Sequence, residues 1–531
     1  MHPDLSPVPP ETVAVVVILG SDDSAQVTDA VRSALGQGRA VREVVAVDAR
    51  TPDGGARAPG RPDTDPRLRV VRHPAGSGGT PRDTGLAAVT APYVMFLDSG
   101  DVLPPGAVDA LLRAADSADA QVAGGLCVRR ELPSGREIPW QASLYAEAAV
   151  LPAPERNPRL VHDTLSVAKL YRTAFLRDHG IRFPEDHAPH EDIVFTARLW
   201  AARPRVALIP DRVYVRRVHR SARRLSLSDD WQARTRAHRA AHATLLDAGQ
   251  KDLARAARAA FLDHDLRRYV RELPQRDEAH RRAWWAHTRA FLAEYDAADR
   301  DRDPVAPGRL IARVLLASPE PRDLTRLREL ASRPARLCPP YARSADGTPC
   351  WSDDLPGVGL EQLLTRPVEQ LPLAVDAELR LTARGRGVLR LRLHDLYGRV
   401  ELVGPLALDV EWRHRGPDGT AVRRTVPLRA STDGGWAAVT AVRPGELAAL
   451  GHGAWDLRLR VRFRDGSDRE VTAHAVAGPG LLRRRVVPNG RHGVLLVQPY
   501  ATHSGSLALR VAAGARGLLA VSRARLRRLV H

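Results

Sequence analysis

Tyr93-Val94-Met95-Phe96-Leu97-Asp98-Ser99-Gly100-Asp101-Val102-Leu103 is the stretch on which the reading of this chain turns. An apolar run of strand length, rich in β-forming residues, ends in two carboxylates separated by Ser99 and Gly100. Pro104-Pro105 then stops the strand, and Gly106 opens a helical pattern. In an open α/β sheet, ligands bind beyond the carboxyl ends of the strands. Asp98 and Asp101 therefore sit where a buried strand would hand negative charge to a site. Two carboxylates this close repel unless a cation lies between them, and a hard divalent ion on oxygen ligands is the usual answer. Asp, Ser and Gly are equally ordinary turn formers. On this stretch alone, a ligand site and a simple Asx turn stand level.

Upstream, Val13–Leu19 reads as a buried parallel strand, and Gly20–Ser24 as a turn and helix cap. Val27, Val31, Ala34 and Leu35 then give helical spacing up to Gly38. Val44–Val47 is a second strand, ending at Asp48 and followed by a Pro/Gly/Asp-rich loop through Asp65. Leu68–Val71 is a third strand and Arg82–Val89 a short helix. Strands alternating with helices predict a doubly wound, mostly parallel sheet, with Asp48 and Asp98 both at strand C-termini.

Downstream, residues 121–131 and 136–140 predict a hairpin around Ser134-Gly135, and Leu165–His179 a helix containing Lys169 and Arg172. From Glu191 the spacing of Ile193, Ala197, Trp200 and Ala201 is helical, so Glu191 and Asp192 start a helix. The macrodipole favours carboxylates there, which is reason enough for the pair without any chemistry. Arg205–Ile209 and Arg212–Val218 read as short strands. After the N-cap cluster Ser228-Asp229-Asp230, an Ala- and Arg-rich helical pattern runs to about Leu330. Trp284-Trp285 within it could be named a stacking platform, but core aromatics of a helix bundle are the more economical reading. Beyond a Pro/Gly-rich linker the period becomes alternating, as in Val388-Leu389-Arg390-Leu391-Arg392-Leu393. Short strands separated by turns such as Asp465-Gly466 predict an antiparallel β-sandwich of immunoglobulin-like type. The expected division is 1–228, 229–338, a linker at 339–359, and 360–531 with a basic tail.

The chain has 531 residues and a formal net charge of +18. Of its 80 basic residues only Lys169 and Lys251 are lysines, a bias spread over the whole chain. It therefore gives little support to nucleic-acid binding, and no such motif appears. Cys127, Cys338 and Cys350 are too few and too irregular for a disulfide framework or a zinc site. Val13–Leu19 is too short for a signal or a membrane span, and a cytoplasmic location is expected. The basic tail Arg516–His531 fits either packing on the sandwich or contact with an anionic membrane at its inner face.

The ordered set of signals resembles family 2 glycosyltransferases with the GT-A fold. It comprises Val13–Leu19, Ser33-Ala34-Leu35-Gly36-Gln37, Val44–Asp48, Asp65–Val71, Gly78–Leu86, Tyr93–Leu103, Lys169–Arg172, Phe183-Pro184-Glu185, Glu191–Phe195 and Tyr214–His219. The resemblance implies a nucleotide-sugar site in which Asp48 and the Arg82-Asp83 pair hold base and ribose. It places Asp98 and Asp101 at the family's Asp-x-Asp motif, as donor-site residues and ligands of Mn²⁺ or Mg²⁺. It makes Asp192 the general base with Glu191 beside it, and sets Arg217 and His219 near the diphosphate. This chain departs from the family pattern in carrying Gly100 where a second carboxylate is usual, Ala49 after Asp48, and Ile18-Leu19-Gly20-Ser21 after the first strand.

The layout as a whole is similar to that of wall teichoic acid β-N-acetylglucosaminyltransferases. That likeness implies an inverting transfer of N-acetylglucosamine from UDP to a hydroxyl of an anionic wall polymer or other surface glycan. It also implies self-association, a trimer, through the C-terminal part. The alternative, prompted by Gly100 and Ala49, is a catalytically weakened copy serving as a scaffold in envelope glycan synthesis.

Overall fold

The computed structural model describes residues 12–514 except 21–23, 50–64, 75–78, 133–134, 186–189, 220–229, 298, 300–305, 383–385, 417–418, 433 and 503–504. The basic tail lies outside the described residues. The chain condenses into two compact units: residues 1–262 with 293–304, and residues 263–292 with 305–531.

The N-terminal unit is built on a nine-stranded sheet in the order β3-β2-β1-β4-β8-β5-β9-β7, with β6 on β5. Its strands are β1 (Val13–Leu19), β2 (Val41–Asp48), β3 (Leu68–Arg72), β4 (Tyr93–Asp98), β5 (Val122–Leu132), β6 (Arg136–Pro139), β7 (Ala149–Leu151), β8 (Lys169–Arg172) and β9 (Val206–His219). β1 forms because five consecutive aliphatic residues, Val13–Val17, are fully buried, as a central parallel strand requires. β3, β2, β1 and β4 run parallel. Helix α1 (Ser24–Leu35) follows β1, and α2 (Pro81–Ala88) precedes β4. A Cβ at Gly85 would clash with the side chain of Val16, so glycine is what lets α2 lie directly on β1. That close approach brings Arg82 to the end of β4.

The sheet is mixed, because β8 lies antiparallel between β4 and β5. The helix expected over Leu165–His179 is reduced to α4 (Thr173–Asp178). Leu170 and Tyr171 are buried between two strands, and the β-forming pair follows that environment instead of the local helical spacing. Lys169 at the start of β8 is 2% exposed and sits 2.7 Å from Asp163 Oδ2. The expected pair 205–209 and 212–218 is one continuous strand, β9. The hairpin around Gly135 is present as β5 and β6. After α3 (Ala107–Ser117), α5 (Glu191–Ala201), α6 (Trp231–Asp247) and α7 (Lys251–Ala260) complete the unit's principal helices.

The C-terminal unit combines helices at Arg267–Glu272, Glu278–Ala293, Ala306–Ala317 and Leu324–Ala331 with a two-stranded ribbon, Ala342–Arg343 on Pro349–Cys350, and two larger sheets. Trp284 and Trp285 are buried, and Trp285 Nε1 donates to Ser318 O at 2.9 Å; they are core residues. The first sheet orders Arg429–Ala430, Trp436–Val442, Gly387–Leu393, Val375–Leu381 and Ala473–Ala475. The second orders Ala421–Pro427, Pro405–His414, Gly453–Phe463, Leu507–Ala513, Gly493–Ala501 and Arg485–Asn489, with Asp468–Val471 on Gly453–Phe463. The strands pair antiparallel, except that Val375–Ala377 runs parallel to Ala473–Ala475. In Gly387–Leu393 the leucines are buried while Val388 and Arg390 are exposed, the alternation expected of a half-buried sheet. Among the described residues, no helix is long and apolar enough to cross a membrane.

Candidate active site

The turn after β4 is fixed before any ligand is considered. Ser99 N donates to Ile18 O at 3.1 Å, Asp101 N to Asp98 O at 2.9 Å, and Gly20 N to Ser99 Oγ at 3.3 Å. The stretch is thus a tight turn anchored to β1, and its two carboxylates point to different tasks.

Asp101 is 4% exposed. Its Oδ2 accepts from Tyr214 Oη at 2.9 Å and its Oδ1 from Arg217 N at 2.8 Å, both on β9. Burial and the nearby Asp98 push its carboxyl up to about 6, against these hydrogen bonds. Arg217 in turn clamps the turn: its Nε donates to Gly100 O at 2.7 Å and its Nη1 to Asp29 at 2.9 Å.

Asp98 faces the other way, with its side chain 39% exposed. Its Oδ1 receives Arg82 Nη2 at 2.6 Å, while Arg82 Nη1 reaches Glu191 Oε1 at the same distance. The Arg82 guanidinium also lies 5.5 Å from the centroid of the Phe183 ring, which stacks on Phe195 at 4.0 Å. Burial opposes the charge on Arg82, but Asp98, Asp192 and Glu191 outweigh it and keep the group firmly protonated. Glu191 is raised by burial; Arg82 pulls it down and Asp192 pushes it up.

Asp192, the second residue of α5, is half-buried. Ser166 Oγ donates to its Oδ1 at 2.5 Å, and Tyr171 Oη donates to Ser166 O at 2.6 Å. The loop carrying Ser166 rests on a buried network in which Asp163 accepts from Trp140 Nε1 at 2.9 Å and from Lys169 Nζ at 2.7 Å.

The structure therefore brings together Arg82, Asp98, Glu191 and Asp192, with Asp101 and Arg217 holding the turn from behind. Asp83 is placed differently. Its Oδ2 accepts from Thr80 N and Thr80 Oγ1, closing a capping box on α2, and its Oδ1 accepts from Phe183 N at 3.0 Å. It holds the loop that carries Phe183. Asp48 ends β2, two strands from Asp98 in the sheet, and its O accepts from His73 N at 2.9 Å. His219 ends β9, and its side chain lies outside the described residues. Ser166, Tyr214 and Arg216 are residues of the site that sequence reasoning passed over. Arg216 is solvent-exposed and interacts electrostatically with Asp101, Asp98, Tyr214 and Asp192. Strand alternation was the available signal: Tyr214 and Arg216 share one face of β9 and Arg217 the other.

The resemblance implies a divalent ion on Asp98 and Asp101, and the donor set does not fit one. Asp101 directs both oxygens to N–H and O–H donors, and Asp98 shares an oxygen with a guanidinium. Among the described residues no group of three or more His, Cys, Asp or Glu converges as a cage.

Residues 15–177 match the family model of glycosyl transferase family 2. That segment holds the strands β2 to β8, the helix α2 with Arg82, and the turn with Asp98 and Asp101. Among curated proteins, a poly(ribitol-phosphate) β-N-acetylglucosaminyltransferase, TarS of Staphylococcus aureus, is 32% identical over 143 residues, covering 26% of this chain and 23% of that protein. The uncharacterized glycosyltransferase EpsJ of Bacillus subtilis is 26% identical over 182 residues, 33% of this chain and 52% of that one. The matched segments thus span about a quarter to a half of the length of these relatives. The crystal structure of S. aureus TarS aligns with 94% of this chain and 85% of its own at 17% identity and a TM-score of 0.49. Residues 1–349 of TarS in complex with UDP-GlcNAc align with 64% of this chain and 96% of theirs, at 20% identity and a TM-score of 0.46.

Proposed function

We propose that the N-terminal unit transfers a sugar from a nucleoside diphosphate sugar, UDP-N-acetylglucosamine foremost, to a hydroxyl of an anionic surface polymer, with inversion. The observation that carries this is the placement of Asp192 within one charge cluster with Arg82, Asp98 and Glu191, of which Arg82 and Asp98 lie in the segment that matches family 2 glycosyltransferases. In this reading the acceptor oxygen attacks the anomeric carbon from the side opposite the diphosphate. Asp192 takes the hydroxyl proton as the new C–O bond forms and the bond to the diphosphate breaks. Ser166 fixes the orientation of that carboxylate, and Arg82 and Arg216 offer positive charge to the departing diphosphate. Asp101 and Arg217 hold the turn, and Asp83 supports the Phe183 loop. The C-terminal unit is assigned to self-association and to holding the acceptor, on layout alone.

The test is a panel of UDP-sugars with a poly(alditol phosphate) acceptor, the product's anomeric configuration being read by NMR. Asp192→Asn should lower transfer by about 10²–10⁴-fold while UDP still binds. Wild-type-like transfer by that variant removes Asp192 from the base role, and a retained anomeric configuration removes the single-displacement route. Acceptor-dependent turnover would also exclude a purely scaffolding copy.

A further inference from the structure

We infer that this site meets the charge of the donor diphosphate with guanidinium groups and binds nucleoside diphosphate sugars without a divalent cation. The inference rests on the nucleotide-sugar reading above and concerns how that site is charged.

A cation site needs acceptor oxygens left over after the protein's own hydrogen bonds are made. Here donors already engage both oxygens of Asp101 and one oxygen each of Asp98 and Glu191. Asp101 is satisfied by Tyr214 Oη and Arg217 N, and Asp98 and Glu191 each receive one arm of Arg82 at 2.6 Å. Yet Arg82 Nε and Arg217 Nη2 are buried with no acceptor among the described residues. Arg216 is exposed beside the same turn. Unmade hydrogen bonds on buried donors are costly, and an anion whose oxygens draw these arginines into new contacts relieves that cost. A metal ion brought to Asp98 would instead compete with Arg82 for the same carboxylate.

Gly100 sharpens the point. Its backbone is outside the left-handed region, and a Cβ there would meet only Gln26 Oε1, at 3.6 Å. Neither space nor strain demands glycine at this position. A carboxylate placed there would add the oxygens the turn lacks, next to the exposed side of Asp98.

The experiment is calorimetric titration of UDP into the full chain, in EDTA and in Mn²⁺, alongside titration of Mn²⁺ alone. The expected result is a UDP Kd that agrees within about twofold between the two buffers, with Mn²⁺ alone unbound by the wild type and bound by Gly100→Asp. Arg216→Met, at an exposed strand position, should weaken UDP about tenfold or more in both buffers. UDP binding that appears or tightens tenfold only with Mn²⁺ overturns the inference and leaves the nucleotide-sugar reading intact. So does wild-type Mn²⁺ affinity equal to that of Gly100→Asp. No UDP binding in either buffer overturns the nucleotide-sugar reading itself, and the inference falls with it.

Discussion

Each of the two units buries a guanidinium against carboxylate oxygen, and the two clusters differ in what is left open. In the C-terminal unit Glu329 and Arg336 have side chains only 2% and 1% exposed. Glu329 accepts from Arg336 Nε at 2.8 Å and from Arg328 at 3.1 Å, and Arg336 Nη1 donates to Thr472 Oγ1 at 2.9 Å. His474 Nδ1 lies 3.6 Å from Glu329. The central pair, Glu329 and Arg336, faces only other parts of the protein. In the N-terminal unit Arg82 is also mostly buried, at 12%, but it bridges to an Asp98 that is 39% exposed. Charge turned inward on all sides is a staple. Charge with one side open to solvent is a place for a ligand, and the same residue types serve both.

The largest effect that would break the comparison falls on the closed cluster. Glu329→Ala leaves Arg336 charged and buried without the carboxylate that faces it, and should cost about 3–5 kcal/mol of unfolding free energy. Equilibrium denaturation reads this, and a loss below about 1 kcal/mol would show the cluster to be no staple. The interaction also has a pH signature. Burial alone would raise Glu329, but His474 and Arg336 outweigh it and hold the carboxyl at about 2, below its ordinary 4.5. A depressed folded-state value means the stabilisation is complete above about 4.5 and is lost as pH falls towards about 2. The difference between wild type and Glu329→Gln should therefore narrow over that window.

A matched pair of substitutions separates the clusters directly. Arg336→Lys loses the fork that serves Glu329 and Thr472 together, and should cost about 2–3 kcal/mol with no change in nucleotide affinity. Arg82→Lys should cost only about 1 kcal/mol, because Asp98 keeps its water, but weaken UDP about tenfold. If both variants lose stability alike and UDP affinity is unmoved by either, the N-terminal cluster is a staple too.

Much of this was legible in the residues, for reasons that can be traced. β1 and β4 stood out because central strands are apolar on both faces, and the Glu191–Asp192 helix start followed from spacing alone. β8 was not legible. Lys169-Leu170-Tyr171-Arg172 carries two charged residues in four, and the buried lysine is tolerable because its Nζ meets Asp163 and the Leu165 carbonyl, which the residue pattern does not announce. Val375–Leu381 escaped for the opposite reason, since Asp376, Glu378 and Arg380 hide a half-buried strand as a polar stretch. Within the site, the order of motifs singled out the turn and Asp192, whereas the different surroundings of Asp98 and Asp101 depend on Tyr214 and Arg217, more than a hundred positions away.

Asp83 gives the smallest and most discriminating effect. Its two oxygens make three hydrogen bonds, two to Thr80 and one to Phe183 N. Replacing it with Asn leaves one oxygen to accept and turns an amide towards whichever donor remains. The capping box or the Phe183 loop must then yield, at about 1 kcal/mol. Asp83→Ala loses all three, at about 2 kcal/mol. If Asp83 supports the site from beneath, thermal stability should fall in that order, and UDP affinity should weaken only through the loosened Phe183 ring beside Arg82, by about threefold or less. If Asp83 instead held the nucleotide, both variants would lose UDP affinity by tenfold or more, with Tm nearly unchanged. Measuring both quantities on the same two variants decides between the cap and the contact, because the two roles move them in opposite proportions.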